Sequence, residues 1–249
     1  MEVETSENVG ESATKSGKPS RNKLSCSIAC LDGANFNINI EKNAPGKLLV
    51  DKICSHLKVD EKEYFGLLYV EHKTGLKRWL ETYKPIKKQL NGSEPNFEFA
   101  VKFFEPNPEQ VNNDYTRYLM ALQIREEIAT GSLPCSFSAQ ALLGSYVIQS
   151  EFGDYDPLQH GQDYLDGLVF APEQSPELIM KIKELHRSHK GLTPMEADLQ
   201  YLEYARKLTM YGVDLHEARN VHGADIHVGV SFAGIAIYKD QIRTNKFTW

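Results

Sequence analysis

Two clusters of basic residues, a pair of spaced histidines and four cysteines are the side chains in this sequence whose types and spacing could do chemistry. Lys84, Lys87 and Lys88 crowd three ammonium groups into KPIKKQL. Near an anionic lipid surface each such group gains about 1 kcal/mol. A second basic cluster lies in Ala205 to Asn220, ARKLTMYGVDLHEARN, where Arg206, Lys207 and Arg219 flank Leu208, Met210, Tyr211, Val213 and Leu215. Basic, amphipathic segments of this kind suit a partner that presents an apolar groove with an acidic rim.

The remaining candidates point to structure. His186 and His189 are i, i+3 neighbours that could in principle share a metal, but no carboxylate or third histidine has a matching helical spacing. Asp154, Tyr155 and Asp156 read as turn formers, because Pro157 follows and the ligand ladder of a calcium loop is missing. Cys26, Cys30, Cys54 and Cys135 include no C-x-x-C pair, so reduced core thiols are expected. Phosphate-binding, zinc-protease, nucleophile-elbow and phosphatase-loop patterns are all missing from the sequence. The expectation is a binding protein with no catalytic residues, no metal and no cofactor.

Composition restricts the partners. The 249 residues carry 28 basic and 34 acidic side chains, a net charge of −6, which argues against wholesale nucleic-acid binding. The balance is uneven: residues 24–104 hold 12 basic and 10 acidic side chains, 105–216 hold 8 and 17, and 217–249 hold 4 and 3. An anionic partner should therefore meet the first or the last region, not the acidic middle. No apolar run approaches a membrane span, and the N-terminus has no apolar signal region, so a cytoplasmic location is expected.

The elements that must position these residues fall into regions of different period. Residues 1–23 are too polar to offset chain entropy and read as a disordered tail. From 24 to 104 the pattern is β-β-α-β-β-β, with a hairpin at Asp32-Gly33, a helix carrying Leu49, Val50, Ile53 and Leu57, and a strand alternating Phe97, Phe99, Val101 and Phe103. That order suggests a ubiquitin-like β-grasp lobe. From 105 to 216 the period becomes 3.6 and predicts four helices. The first has an Asp114 cap and Tyr115, Leu119, Leu122 and Ile128 inside; the second follows Pro134 and carries Phe137, Ala141, Leu142 and Ile148. The third starts at Ser175-Pro176, and the fourth starts at a Thr193/Glu196 capping box with a stripe through Leu208 to Tyr211-Gly212. From 217 to 249 the period returns to two, with turns at Ala233-Gly234 and Lys239-Asp240. Ile235, Ile237, Phe247 and Trp249 are expected to lack an opposing sheet, because 30-odd residues are too few for an independent buried sheet.

Two spaced patterns tie these regions together. Trp79-Leu80 precedes Lys84, Ile86, Gln89 and then Phe103-Phe104 with Asn107; His186 precedes Glu196-Ala197, Tyr201-Leu202, Ala205, Leu208, Tyr211-Gly212 and Asp214-Leu215. Both resemble FERM-domain signatures. YFGL at Tyr64–Leu67, LPCSF at Leu133–Phe137, QSEFGDYDP at Gln149–Pro157 and MYGVDLH at Met210–His216 are similar to the protein 4.1 group of that family. The resemblance covers residues 24–249. It implies an α+β multi-lobe fold: a ubiquitin-like lobe, an acyl-CoA-binding-protein-like helical bundle and the first strands of a pleckstrin-homology-like lobe.

The same resemblance implies a non-catalytic adaptor between membrane and cytoskeleton, peripheral at the plasma membrane. It would bind cytoplasmic tails of membrane proteins and phosphoinositide headgroups, and reach actin or spectrin through regions outside this chain. By resemblance, Lys84, Lys87 and Lys88 take the lipid, and Asp60, Glu61, Glu63 and Tyr64 form an acidic turn plus tyrosine that contacts a membrane-protein tail. Arg206, Lys207, Leu208, Thr209, Met210 and Tyr211 fall in the family's calmodulin-binding segment. FERM modules of cytoplasmic tyrosine phosphatases share much of this pattern, an alternative that requires a catalytic domain outside these residues.

Overall fold

The computed structural model describes residues 22–239 and 241–249. The expected N-terminal tail lies almost wholly outside the described residues, as does Asp240 of the expected last turn.

The first lobe begins with a hairpin, β1 (Lys23–Ala29) and β2 (Asn35–Glu41), turned at Asp32-Gly33. Gly33 sits at φ +83°, and Asp32 Oδ1 accepts the Ala34 N–H at 3.0 Å, so the side chain fixes the turn. Helix α1 (Gly46–Leu57) lays Leu49, Ile53 and Cys54 on the sheet. β3 (Phe65–Val70), β4 (Lys77–Trp79), α2 (Ile86–Leu90) and β5 (Asn96–Val101) complete a sheet of order β2-β1-β5-β3-β4, with β1 and β5 parallel. Two expectations are corrected here. The β-β-α-β-β-β pattern omits α2, a single helical turn anchored by Ile86 and Leu90 that is too short to show a 3.6 period. β5 also ends at Val101, and Phe103 is exposed.

The helical lobe follows with α3 (Asp114–Thr130), α4 (Phe137–Phe152), α5 (Pro176–His186) and α6 (Pro194–Ala205). The cap of α3 is Asn113, whose Oδ1 accepts the Tyr115 N–H at 2.8 Å; Asp114, the expected cap, is the first helical residue. Ser136, Ser175 and Thr193 cap the other three, the last through the complete capping box with Glu196. Phe137, expected on the second helix, is its first residue and is exposed. Helix α6 stops at Ala205, so the stripe expected to continue through Leu208 to Tyr211 passes into a run of turns.

The last strands, β6 (Asp214–Arg219), β7 (Asp225–Ser231), β8 (Gly234–Lys239) and β9 (Ile242–Phe247), form an antiparallel meander. β6 crosses the expected 216/217 boundary. One face of the sheet, with Gly229, Ala236 and Tyr238, is buried, and Ala236 and Tyr238 belong to the same apolar core as Tyr201, Leu202 and Tyr211 of the helical lobe. The sheet therefore does not stand alone; the helical lobe supplies the second layer. On the other face Ile235 and Ile237 are half-buried, while Phe247 and Trp249 are exposed.

Gly229 is what lets this docking happen. A Cβ there would lie 2.5 Å from Val213 Cγ1 and 2.6 Å from Tyr238 Cε2. Gly229→Ala should cost about 1–3 kcal/mol through overpacking, lowering the thermal midpoint by several degrees with secondary structure retained. An unchanged midpoint would show that the sheet is not seated on the helical lobe as described.

Candidate functional site

Helix α2 carries the lysine cluster. Ile86 and Leu90 are buried beneath it, and Lys87 and Lys88 project from the exposed side with no ion pair among the described residues. The turn leading into the helix is held by one side chain: Gln89 Oε1 accepts the Glu81 N–H at 2.7 Å, while its Nε2 donates to the carbonyls of Glu81 at 2.9 Å and Lys84 at 2.8 Å. Lys84 Nζ meets Glu81 Oε1 at 2.7 Å in an exposed ion pair. Sequence reasoning missed two neighbours. The Lys87 N–H donates to the Lys42 carbonyl at 3.1 Å, and the Lys47 N–H donates to the Thr82 carbonyl at 2.8 Å. These backbone bonds seat the chain at Lys42 and Lys47 beside the helix from a distant part of the sequence, and no spacing signal could announce this.

In the acidic turn one carboxylate is engaged within the fold and the rest stay at the surface. Asp60 and Glu63 are exposed and Tyr64 is half-buried on a 3-10 turn, Lys62–Tyr64. Glu61 turns away from solvent partners: its Oε1 accepts the Asn112 N–H at 2.9 Å and its Oε2 the Asn113 N–H at 3.3 Å. Both amides stand at the mouth of α3, where the helix dipole favours a negative charge. Burial alone pushes the Glu61 carboxyl up, but the donors at Asn112 and Asn113 outweigh it and hold the group below its ordinary value. Tyr64 is pushed up, by burial and then by Glu105, Glu61 and Glu63.

The segment Ala205–Asn220 is not one amphipathic helix. Residues 206–212 are turns and 214–219 are β6, while Met210 and Tyr211 are buried. Tyr211 Oη donates to the Glu105 carbonyl at 3.0 Å, and its ring packs against Phe104. Arg206 Nε meets Glu203 Oε2 at 2.8 Å, and Lys207 Nζ sits 5.7 Å from the Tyr204 ring centre. Of the apolar anchors, Met210 and Tyr211 are therefore core residues of the lobe junction, Leu208 and Val213 pack against that core half-buried, and Leu215 is exposed.

The histidines and cysteines are structural in their surroundings. His186 Nε2 donates to the Gly153 carbonyl at 2.8 Å, which leaves Nδ1 to accept from Tyr164 Oη at 3.1 Å. His189 bonds Ser145 Oγ at 2.8 Å and stacks on Tyr146; burial lowers the pKa of both histidines. Asp154 Oδ1 accepts from Gln149 Nε2 and the Gly191 N–H, both at 2.8 Å. Burial pushes the Cys26 and Cys30 thiols up to about 11 and Cys54 to about 12, which disfavours nucleophilic thiolates. Among the described residues no group of three His, Cys, Asp or Glu side chains could hold a metal, and no helix is long and apolar enough to cross a membrane.

Three lobes held by such contacts match a known arrangement. Residues 28–92 match the FERM N-terminal domain and residues 106–216 the FERM central domain. The chain belongs to the FERM family. It is 48% identical over 248 residues to human Band 4.1-like protein 2, covering 100% of this chain and 25% of that one. It is also 48% identical over 236 residues to human Protein 4.1, covering 94% of this chain and 27% of the relative. The chain thus spans about a quarter of the length of these curated relatives. Among solved structures it is similar to the complex of the FERM and C-terminal domains of Drosophila Merlin, with a TM-score of 0.80 at 28% identity, covering 91% of this chain and 80% of that one. The MyTH4-FERM MF2 domain of Dictyostelium discoideum myosin VII shares the fold, with a TM-score of 0.74 at 17% identity over 90% of this chain and 52% of that one. FERM domains of the protein 4.1 family are non-catalytic.

The Glu61 contact gives a pH signature. A carboxyl held lower in the folded state contributes stability that is present above its unfolded-state pKa and lost as pH falls through the folded value. Glu61→Gln should lower stability by about 1 kcal/mol at neutral pH, with the loss shrinking as pH falls through the lowered carboxyl value, measured by denaturant unfolding at neutral and at acidic pH. An equal loss at both would contradict a role for the charge.

Proposed function

We propose that this FERM chain is an adaptor that docks on the cytoplasmic face of the plasma membrane, binding phosphoinositide headgroups through Lys84, Lys87 and Lys88 and membrane-protein tails through Asp60, Glu63 and Tyr64. One observation carries the reading: Lys87 and Lys88 stand exposed and unpaired among the described residues on a helical turn whose opposite side is locked into the core. A helical turn already fixed in its backbone loses no further backbone freedom when its lysines meet a polyanion. Exposed Lys47 lies on a segment hydrogen-bonded to the turn that leads into this helix, and the acidic helical lobe supports an orientation in which the first lobe meets the lipid. Glu61 takes no part in tail binding in this reading, because its carboxylate is engaged at α3. Actin or spectrin attachment falls to regions outside this chain. The relatives named above favour the protein 4.1 adaptor over a phosphatase targeting module.

Calmodulin enters this reading only as an event coupled to opening of the lobe junction, because Met210 and Tyr211 must leave the core to offer themselves as anchors. A peptide of residues 205–220 should therefore bind calcium-loaded calmodulin at least about 100-fold more tightly than the folded chain does, the equivalent of roughly 2.7 kcal/mol of opening. Equal affinities by calorimetry would contradict this.

The lipid reading is tested by charge reversal. Lys87→Glu with Lys88→Glu changes the local charge by four units on a lobe whose net charge is +2 (12 basic less 10 acidic). Sedimentation with phosphoinositide-containing vesicles should show at least about a tenfold loss of binding, and added salt should weaken the wild type in the same way. Binding by the double variant at wild-type strength in low salt would overturn the assignment of α2.

A further inference from the structure

A cavity of about 290 Å³ opens where the turns after α6 meet the last sheet. Its charged lining is Arg206, Lys207, Arg243 and Lys246, and no acidic side chain lines it. Glu203 pairs with Arg206 from outside the lining, and Lys207 rests near the Tyr204 ring. Lys207, Arg243 and Lys246 find no carboxylate among the described residues. Like charges gathered around one hollow repel each other, and an anion within it relieves that repulsion.

The chain has its own place for such an anion. Thr209 lines the same cavity and is exposed, and neither its hydroxyl nor its backbone N–H or carbonyl makes a hydrogen bond among the described residues. Arg206 and Lys207 stand three and two residues before it. Protein kinases select substrates by such charge patterns, here one suited to an acidic substrate groove. The segment is a turn outside both helix and strand, so a kinase meets no regular hydrogen-bonded element at the hydroxyl.

We propose that Thr209 is a phosphorylation site for a basophilic Ser/Thr kinase and that its phosphate is held in this cavity by Lys207, Arg243 and Lys246. In the transfer, Thr209 Oγ1 forms the new O–P bond to the γ-phosphorus of a magnesium-bound nucleoside triphosphate. The bond from that phosphorus to the β–γ bridging oxygen breaks, the hydroxyl proton passes to the kinase's base, and the nucleoside diphosphate leaves. The product adds about −1.5 to −2 of charge and three acceptor oxygens, enough to offset roughly half of the four cations. It would tie the exit of α6 to β9 across the lobe junction.

The test uses the full chain, a basophilic Ser/Thr kinase and Mg-ATP, with peptide mapping by mass spectrometry and a phosphorus-31 NMR titration. Phosphate should appear on Thr209 and be lost from that position in Thr209→Ala. Its second ionisation should lie at least about half a pH unit below that of the phosphorylated 205–220 peptide, because nearby cations favour the dianion. Arg243→Ala with Lys246→Ala should return it toward the peptide value while Thr209 is still modified. Should that pair disturb the fold by circular dichroism, Lys246→Gln alone should give a smaller shift in the same direction. A chain left unmodified at Thr209 while the peptide is modified, or neither of them modified, overturns the site. A modified chain whose phosphate titrates like the peptide overturns the cavity's part in holding it.

Discussion

The carboxylate of Glu61, reaching from the first lobe to the N–H groups of Asn112 and Asn113, fixes where the helical lobe begins. Helix α3 needs acceptors at its N-terminus; Asn113 supplies one from within the lobe, and Glu61 supplies charge from the neighbouring one. Along the same boundary the Val101 N–H donates to Gln123 Oε1 at 2.6 Å, so a helix side chain finishes the hydrogen bonding of β5. Farther on, Tyr211 donates to the Glu105 carbonyl, and Trp79 Nε1 donates to Asp214 Oδ2 at 3.3 Å, linking the first sheet to the last. One apolar core, running from Cys26 and Leu49 through Leu119 and Tyr201 to Tyr238, lies beneath all of these bonds.

A frame fixed in this way explains why the candidate chemistry is on its outside. The basic platform on α2 needs Ile86 and Leu90 in the core and Gln89 across its entry turn before Lys87 and Lys88 can be held together. The four cations around Thr209 come from two elements, the exit of α6 and β9, that meet only because the last sheet is seated on the helical lobe. In both places a surface of one charge is produced by packing that brings distant parts of the chain together. The buried titratable groups, His186 and His189 among them, are instead occupied in holding loops to helices.

Periodicity carried the large elements. The Asp32-Gly33 turn and the Thr193/Glu196 capping box were legible because each is a local device with a local signature. Helix α2 was not, since five residues make too little of a period. The role of Glu61 was hidden because its partners lie about fifty residues away, and the chain at Lys42 and Lys47 is tied beside α2 by backbone bonds that no spacing records. At Met210 and Tyr211 the apolar pattern was real, but it served the junction and not a helix stripe. The alternation of the last strands was right in period; what it could not show was that Gly229, with no side chain at all, marks the buried face.

The central claim is that the three lobes form one body. Residual dipolar couplings of the backbone amides in a weakly aligned sample test it most directly, because each rigid unit reports its own alignment tensor. A single tensor should fit couplings from β1 to β5, from α3 to α6 and from β6 to β9 with the bond directions described here. Three tensors of different orientation or magnitude would contradict the claim, and with it the idea that cross-lobe bonds place the basic surfaces.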